Sequence, residues 1–224
     1  MILQDKGFLL SKIKYNENSA IAEFYTENHG KISGVLFGAS SKKLKNYLLV
    51  GNKFHINFNS KQEGKLAYFK VEIDQIFTPI FLENKKKLYC IIYAMNLLKM
   101  LTVINQENKK IYFLIENFFE ILDNENWLIN FIMWELDIFK CIGYDINFEN
   151  YVKNVTIKGD KKYYVESNKK IIPNFLVDRV SVPKDNNEIL SCFKIVGDFM
   201  DKTILKPNNI NYPLSRIEFA NLIK

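Results

Sequence analysis

Hydrophobic residues in this chain recur at every second position before Thr78-Pro79 and at every third or fourth position after it, so its 224 residues must hold two kinds of backbone. In Phe54-His55-Ile56-Asn57-Phe58-Asn59 the apolar side chains face one way and the polar ones the other. Ala67, Phe69, Val71 and Ile73 repeat the arrangement against Tyr68, Lys70, Glu72 and Asp74. Gly7 to Tyr15, Ala20 to Thr26 and Lys31 to Phe37 read as three further strands. They are separated by Asn16-Glu17-Asn18-Ser19 and Glu27-Asn28-His29-Gly30, both rich in turn formers. Five short strands, with no helix between the first three, predict an antiparallel meander closing into a small barrel over residues 1–80. One lysine-dense connector interrupts it, Gly38-Ala39-Ser40-Ser41-Lys42-Lys43-Leu44-Lys45-Asn46-Tyr47. A curled sheet with a basic loop on one side is a common way to build a groove for a nucleic-acid strand.

After the change of period, three apolar stripes at helical spacing run through Leu88 to Leu98, Ile111 to Leu122 and Leu128 to Phe139. Asn108, Asp123 to Asn126 and Gly143 supply the breaks between them. From Asp145 to Val182 the pattern is irregular, with Val152 to Ile157, a Lys158-Gly159-Asp160-Lys161 turn and Tyr163-Tyr164-Val165 suggesting a small β-lobe. Glu188 to Leu205 is helical again, and a short last helix ends at Ile223. The fold class expected is α+β: a five-stranded barrel in residues 1–80, then a helical domain in residues 81–224 carrying the lobe at about 145–182.

Charge is unevenly spread. Residues 1–80 hold eleven lysines against seven carboxylates, residues 81–150 seven against ten, and residues 151–224 thirteen basic groups against eight, for nets of +4, −3 and +5 within the total of +6. The basic ends suit a polyanion. No basic region precedes a long apolar run at the start, and no apolar stretch reaches the roughly 18 residues of a membrane span, so a cytoplasmic protein is expected. Cys90, Cys141 and Cys192 are scattered in apolar runs, which argues against a disulfide framework. Neither His29 nor His55 has a second ligand at metal spacing. No cofactor or metal is expected.

Several ordered segments resemble the RecO family of bacterial recombination and repair mediators. They are Gln4-Asp5-Lys6-Gly7, Asn16 to Ser19, Thr26 to Gly30, Gly38-Ala39-Ser40-Ser41-Lys42-Lys43-Leu44 with Gly51 closing the loop, Cys141-Ile142-Gly143-Tyr144-Asp145-Ile146, and Pro213-Leu214-Ser215-Arg216. The resemblance implies an N-terminal oligonucleotide-binding barrel, a helical C-terminal domain and a non-enzymatic role. It further implies binding of single- and double-stranded DNA, strand annealing, contact with the acidic tail of single-stranded DNA-binding protein, and loading of RecA with the partner RecR, with the nucleoid as the site of work. Many members carry a four-cysteine zinc site in a lobe that would fall near Asn150 to Asn174. This chain has no cysteine there, so packing and strand pairing must hold the lobe.

Within the barrel, Lys42, Lys43 and Lys45, joined by Lys12, Lys14 and Lys70, are the candidates to track a phosphate backbone as point charges. Tyr47, Tyr68 and Phe37 are the candidate stacking faces, although an aromatic residue on a barrel strand is more often core, and Phe37 is expected there. Gly38 is expected to permit a turn. For a partner peptide ending in a carboxylate, an apolar groove between helices rimmed by Lys99, Lys109, Lys110 or Lys140 would serve. Arg179 and Arg216, the two arginines, could clamp a carboxylate or tie down a loop. A nuclease is the rival class, because Glu116 with Glu120 and Asp198 with Asp201 share helix faces, yet no histidine, phosphate loop or nucleophile elbow accompanies them. A pure protein-interaction adaptor is the third.

Overall fold

The structure, a computed structural model, describes residues 2–59, 67–157, 160–166 and 171–224. In chain order its elements are β1 (Ile2–Lys14), β2 (Ser19–Thr26), β3 (Gly30–Phe37), α1 (Lys42–Lys45), β4 (Lys53–Asn59), β5 (Ala67–Gln75), α2 (Lys85–Leu101), α3 (Lys109–Asp123) and α4 (Trp127–Cys141). Then come β6 (Val152–Ile157), β7 (Asp160–Val165), β8 (Ile171–Ile172), α5 (Asn174–Asp178), α6 (Asn186–Phe199) and α7 (Leu214–Ile223). They fall into two compact units, Met1–Phe119 with Pro213–Ile223, and Glu120–Tyr212 with Lys224.

In the first unit the five strands close a barrel in the order β1-β2-β3-β5-β4. β1 starts at Ile2, earlier than the alternation suggests, because it serves two partners. Ile2 to Phe8 pair with β4 and Gly7 to Lys14 with β2, with a register shift between Leu9 and Ser11 that bends the strand from one to the other. The expected antiparallel meander holds for β1 to β3. Closure differs, since β5 returns beside β3 in parallel through Gly34↔Ala67, Val35↔Tyr68 and Leu36↔Phe69. Gly34 makes that approach feasible: a Cβ there would stand 2.4 Å from the Ala67 carbonyl oxygen.

Alternation fills the barrel as the sequence implies. Phe24 meets Phe54 and Phe69 edge-on at 5.7 and 5.6 Å, and Leu9, Ile32, Leu36 and Ile56 complete the core. Burying each such side chain is worth about 1.5–3 kcal/mol. The lysine-dense connector folds into α1, whose first turn is capped by Ser41 Oγ accepting from the Leu44 amide at 3.3 Å. Leu44 packs against the barrel core and Leu48 is buried in it. Beyond the barrel, α2 is capped by Asn84, which accepts from the Lys87 amide at 3.2 Å.

In the second unit, α4 and α6 bury an aromatic cluster in which Phe131 stacks on Trp134 at 5.7 Å and meets Phe193 at 6.5 Å. Asp185 caps α6 by accepting from the Glu188 amide at 2.8 Å, and α6 runs on into a π-helical turn, Met200–Leu205. β6, β7 and β8 form the small antiparallel sheet expected of the lobe. Lys158 and Gly159 of the predicted turn lie outside the described residues. Among the described residues no group of three or more His, Cys, Asp or Glu could hold a metal, and no helix is long and apolar enough to cross a membrane.

Candidate nucleic-acid interface

The closing ladder between β3 and β5 is only three pairs long. Past Leu36 the chain leaves the sheet at Gly38, which takes φ +74°, a conformation other residues rarely adopt. The predicted turn is therefore present, and its cause is backbone conformation, since a Cβ at Gly38 would meet nothing within 4 Å. Gly38 and Ala39 donate their amides to the Asn18 carbonyl at 2.8 and 3.2 Å, and Ser40 Oγ donates to the Glu17 carbonyl at 2.6 Å. These bonds stitch the β1–β2 turn to the start of the lysine connector.

Where β5 continues without β3, α1 lies across the gap and leaves a groove of about 600 Å³. Its floor is apolar, from Leu44, Val71 and Ile73, and its rim carries Lys43, Tyr47, Lys70, Asn57 and Glu72. The groove thus brings together three of the sequence-nominated residues, Lys43, Tyr47 and Lys70. Lys42 and Lys45 stand exposed on α1, and Lys14 is exposed at the end of β1. None of Lys14, Lys42, Lys43, Lys45 and Lys70 forms an ion pair with a described residue. Lys12 is placed differently: its ammonium donates to the Leu48 carbonyl, and burial holds it below the usual lysine range.

Phe37 departs from expectation. It is 58% exposed rather than core, and stacks on Tyr68, itself 53% exposed, with ring centres 5.4 Å apart and planes 17° from parallel. The signal was present in the period of β3: with Ile32 and Leu36 inside, Phe37 falls on the outer face.

The residues nominated for a partner peptide are mostly engaged within the chain. Lys99 Nζ is 2.9 Å from Glu23 Oε2, Lys140 Nζ is 3.1 Å from Asp145 Oδ2, and an Arg179 nitrogen is 3.5 Å from Asp137 Oδ1. Arg216 is buried, donates to the Tyr93 hydroxyl and lies 5.1 Å from the centre of that ring. Lys99 and Arg216 belong to the first unit, Lys140 and Arg179 to the second.

A five-stranded barrel with this closure and a helix between its third and fourth strands is an oligonucleotide-binding fold. Residues 1–77 match the family described as "Recombination protein O N terminal" and residues 82–192 match "Recombination protein O C terminal". The chain belongs to the recombination protein O family, and is a DNA repair recombination protein. It is 26% identical over 223 residues to a DNA repair protein RecO of Orientia tsutsugamushi (strain Ikeda), covering 92% of this chain and 91% of that one. With proteins of the same description from Rickettsia peacockii (strain Rustic) and Ehrlichia chaffeensis (strain ATCC CRL-10679 / Arkansas) it shares 28% and 24% identity. Those matches cover 66% and 68% of this chain but 62% and 63% of the relatives' own lengths. Among solved structures, an Entamoeba histolytica asparaginyl-tRNA synthetase aligns over 98% of this chain and 63% of that one at 10% identity and a TM-score of 0.30, too weak a likeness to bear on the fold.

Proposed function

We propose that the barrel binds single- and double-stranded DNA through lysine charge. In this reading the chain works as a recombination mediator, assisting strand annealing and RecA loading with RecR and single-stranded DNA-binding protein. The observation that carries the DNA-binding part is the groove between α1 and β5, where Lys43 and Lys70 stand beside Tyr47 with no carboxylate paired to them among the described residues. Point charges of this kind hold phosphates without reading bases. The partners rest on family membership.

No bond need be made or broken in this role. One carboxylate of each pair that suggested a nuclease has other work: Glu116 accepts from Lys53 at 2.5 Å and Asp201 pairs with Lys206 at 2.6 Å. Labelled DNA incubated with Mg²⁺ should return intact while its mobility shifts in proportion to protein. Turnover would restore the enzyme.

If phosphate contacts dominate, the single-strand binding constant falls with salt with a log–log slope of about −0.7 per phosphate. Replacing Lys42, Lys43 and Lys45 together with alanine should flatten the slope and weaken all sequences alike. An unchanged slope would place the interface elsewhere. For the partner, a peptide copying the acidic tail of single-stranded DNA-binding protein should bind the full chain saturably, and no binding would remove that half of the reading.

A further inference from the structure

The outer surface of the barrel carries an apolar row that the phosphate contacts leave unexplained. Ile13 pairs with Ile21, Ile21 with Val35, and Val35 with Tyr68, so four strands contribute one residue each to the same face. The opposite face of these strands is the core, as Ala22, Leu36 and Phe69 show. Phe37 follows Val35 by two positions and joins the row through its stack on Tyr68. Within this row Val35 is buried and Ile21 partly so, whereas Ile13 is 61% exposed and both rings of the pair are more than half exposed.

Two large rings stacked on each other, each more than half exposed, leave aromatic surface for a third flat group. They are also held in place. Phe37 pairs with Ser19 at the end of the β2–β3 ladder, and the Gly38 and Ala39 amides beyond it are bonded to Asn18. Little ordering remains to be done when a ligand arrives.

The charges nearby select the kind of ligand. Lys70 lies two positions after Tyr68 on the same outer face, about 7 Å along the strand. Phe37 itself lines the groove whose rim carries Lys43. A hydrophobic protein patch would gain nothing from unpaired ammonium groups beside it. A chain that alternates planar apolar groups with anions would use both, and nucleic acid is such a chain.

We propose that the Phe37–Tyr68 pair is a stacking platform for an unpaired base, and that it makes this face of the barrel prefer single strands over duplex. The proposal rests on the DNA-binding reading above and adds what that reading lacks, a source of strand discrimination. Lysine contacts alone serve both forms, whereas a ring can stack only on a base that has left its own duplex stack.

The test uses the full chain, an oligothymidylate and a duplex of equal length. Phe37→Ala with Tyr68→Ala should weaken single-strand binding about ten-fold or more, while the duplex constant and the salt slope stay within error. Phe37→Leu, which keeps apolar bulk without a π face, should lose nearly as much as Phe37→Ala. In Phe37→Trp, emission from the new indole should be quenched by the oligothymidylate and not by the duplex. Unchanged single-strand affinity in the double variant overturns the platform. So does an equal loss for both forms, or a quench by both. Unchanged affinity together with loss of self-association in sedimentation also overturns it and gives the face to a second copy of the chain. If the unaltered protein binds neither form, the DNA-binding reading falls and takes the platform with it. If it binds both and the double variant matches it, the platform alone is lost.

Discussion

Lys53, the first residue of β4, has its ammonium 2.5 Å from Glu116 Oε1 and 5.4 Å from the ring centres of both Phe8 and Tyr112. Burial works against its charge, but the Glu116 carboxylate and Tyr112 outweigh it and hold the ammonium above the usual lysine range. Burial also pushes the Tyr112 hydroxyl up to about 12, against the pull of Lys53. The sign for Tyr112 is set by which state keeps the proton. Between pH 10, its ordinary value, and about 12, the folded state is protonated where the unfolded chain is not, so this group's contribution to stability is lost as pH rises through that window. Tyr112→Phe should therefore lose less stability than the unaltered protein between those limits in urea titrations. Lys53→Met, which leaves Glu116 without its partner, should cost about 1–2 kcal/mol near neutral pH, because the 33% exposed Glu116 side chain recovers part of its hydration. Cys192 lies at the other extreme of reactivity. Burial pushes its thiol up to about 12, so native protein should leave Cys192 unalkylated by iodoacetamide at pH 8, and mass spectrometry reads the result directly.

Among the elements, the segment from Gly38 through α1 decides whether a groove exists. Because Gly38 sits at φ +74° with open space around it, Gly38→Ala should lower stability by about 1–2 kcal/mol through backbone strain alone, measured by urea unfolding. The strands were legible because alternation is a local property, and a single half-buried face imposes it. Phe54, Ile56 and Phe58 announced β4, and the period-3.6 stripes announced α2, α3 and α4. The extension of β1 back to Ile2 was hidden, since Gln4-Asp5-Lys6 lacks the pattern and is held by pairing with β4, a partner dozens of residues away. The same non-locality hid three side-chain fates. Nothing near Arg216 in sequence reports Tyr93, nothing near Lys12 reports the Leu48 carbonyl, and nothing near Lys99 reports Glu23. Lysine and arginine types told of charge, and the fold decided which charges were spent internally. The position of Phe37 was legible in principle, because the alternation that puts Leu36 inside puts its neighbour outside.

On the scale of the whole molecule, one connection in the barrel is weaker than the rest. β3 and β5 share three residue pairs, while β2 and β3 share eight and β1 and β4 share seven. A closed sheet parts first at its shortest seam, so amide hydrogens of Ala67 to Phe69 should exchange faster than those in the middle of β2. The ring pair Phe37–Tyr68 straddles that seam, one ring rooted on each side. Anything seated across both rings would act as a staple, and the same amides should slow when oligothymidylate is added. A barrel that a strand of DNA can zip shut would carry, in its backbone exchange, a record of whether its cargo is aboard.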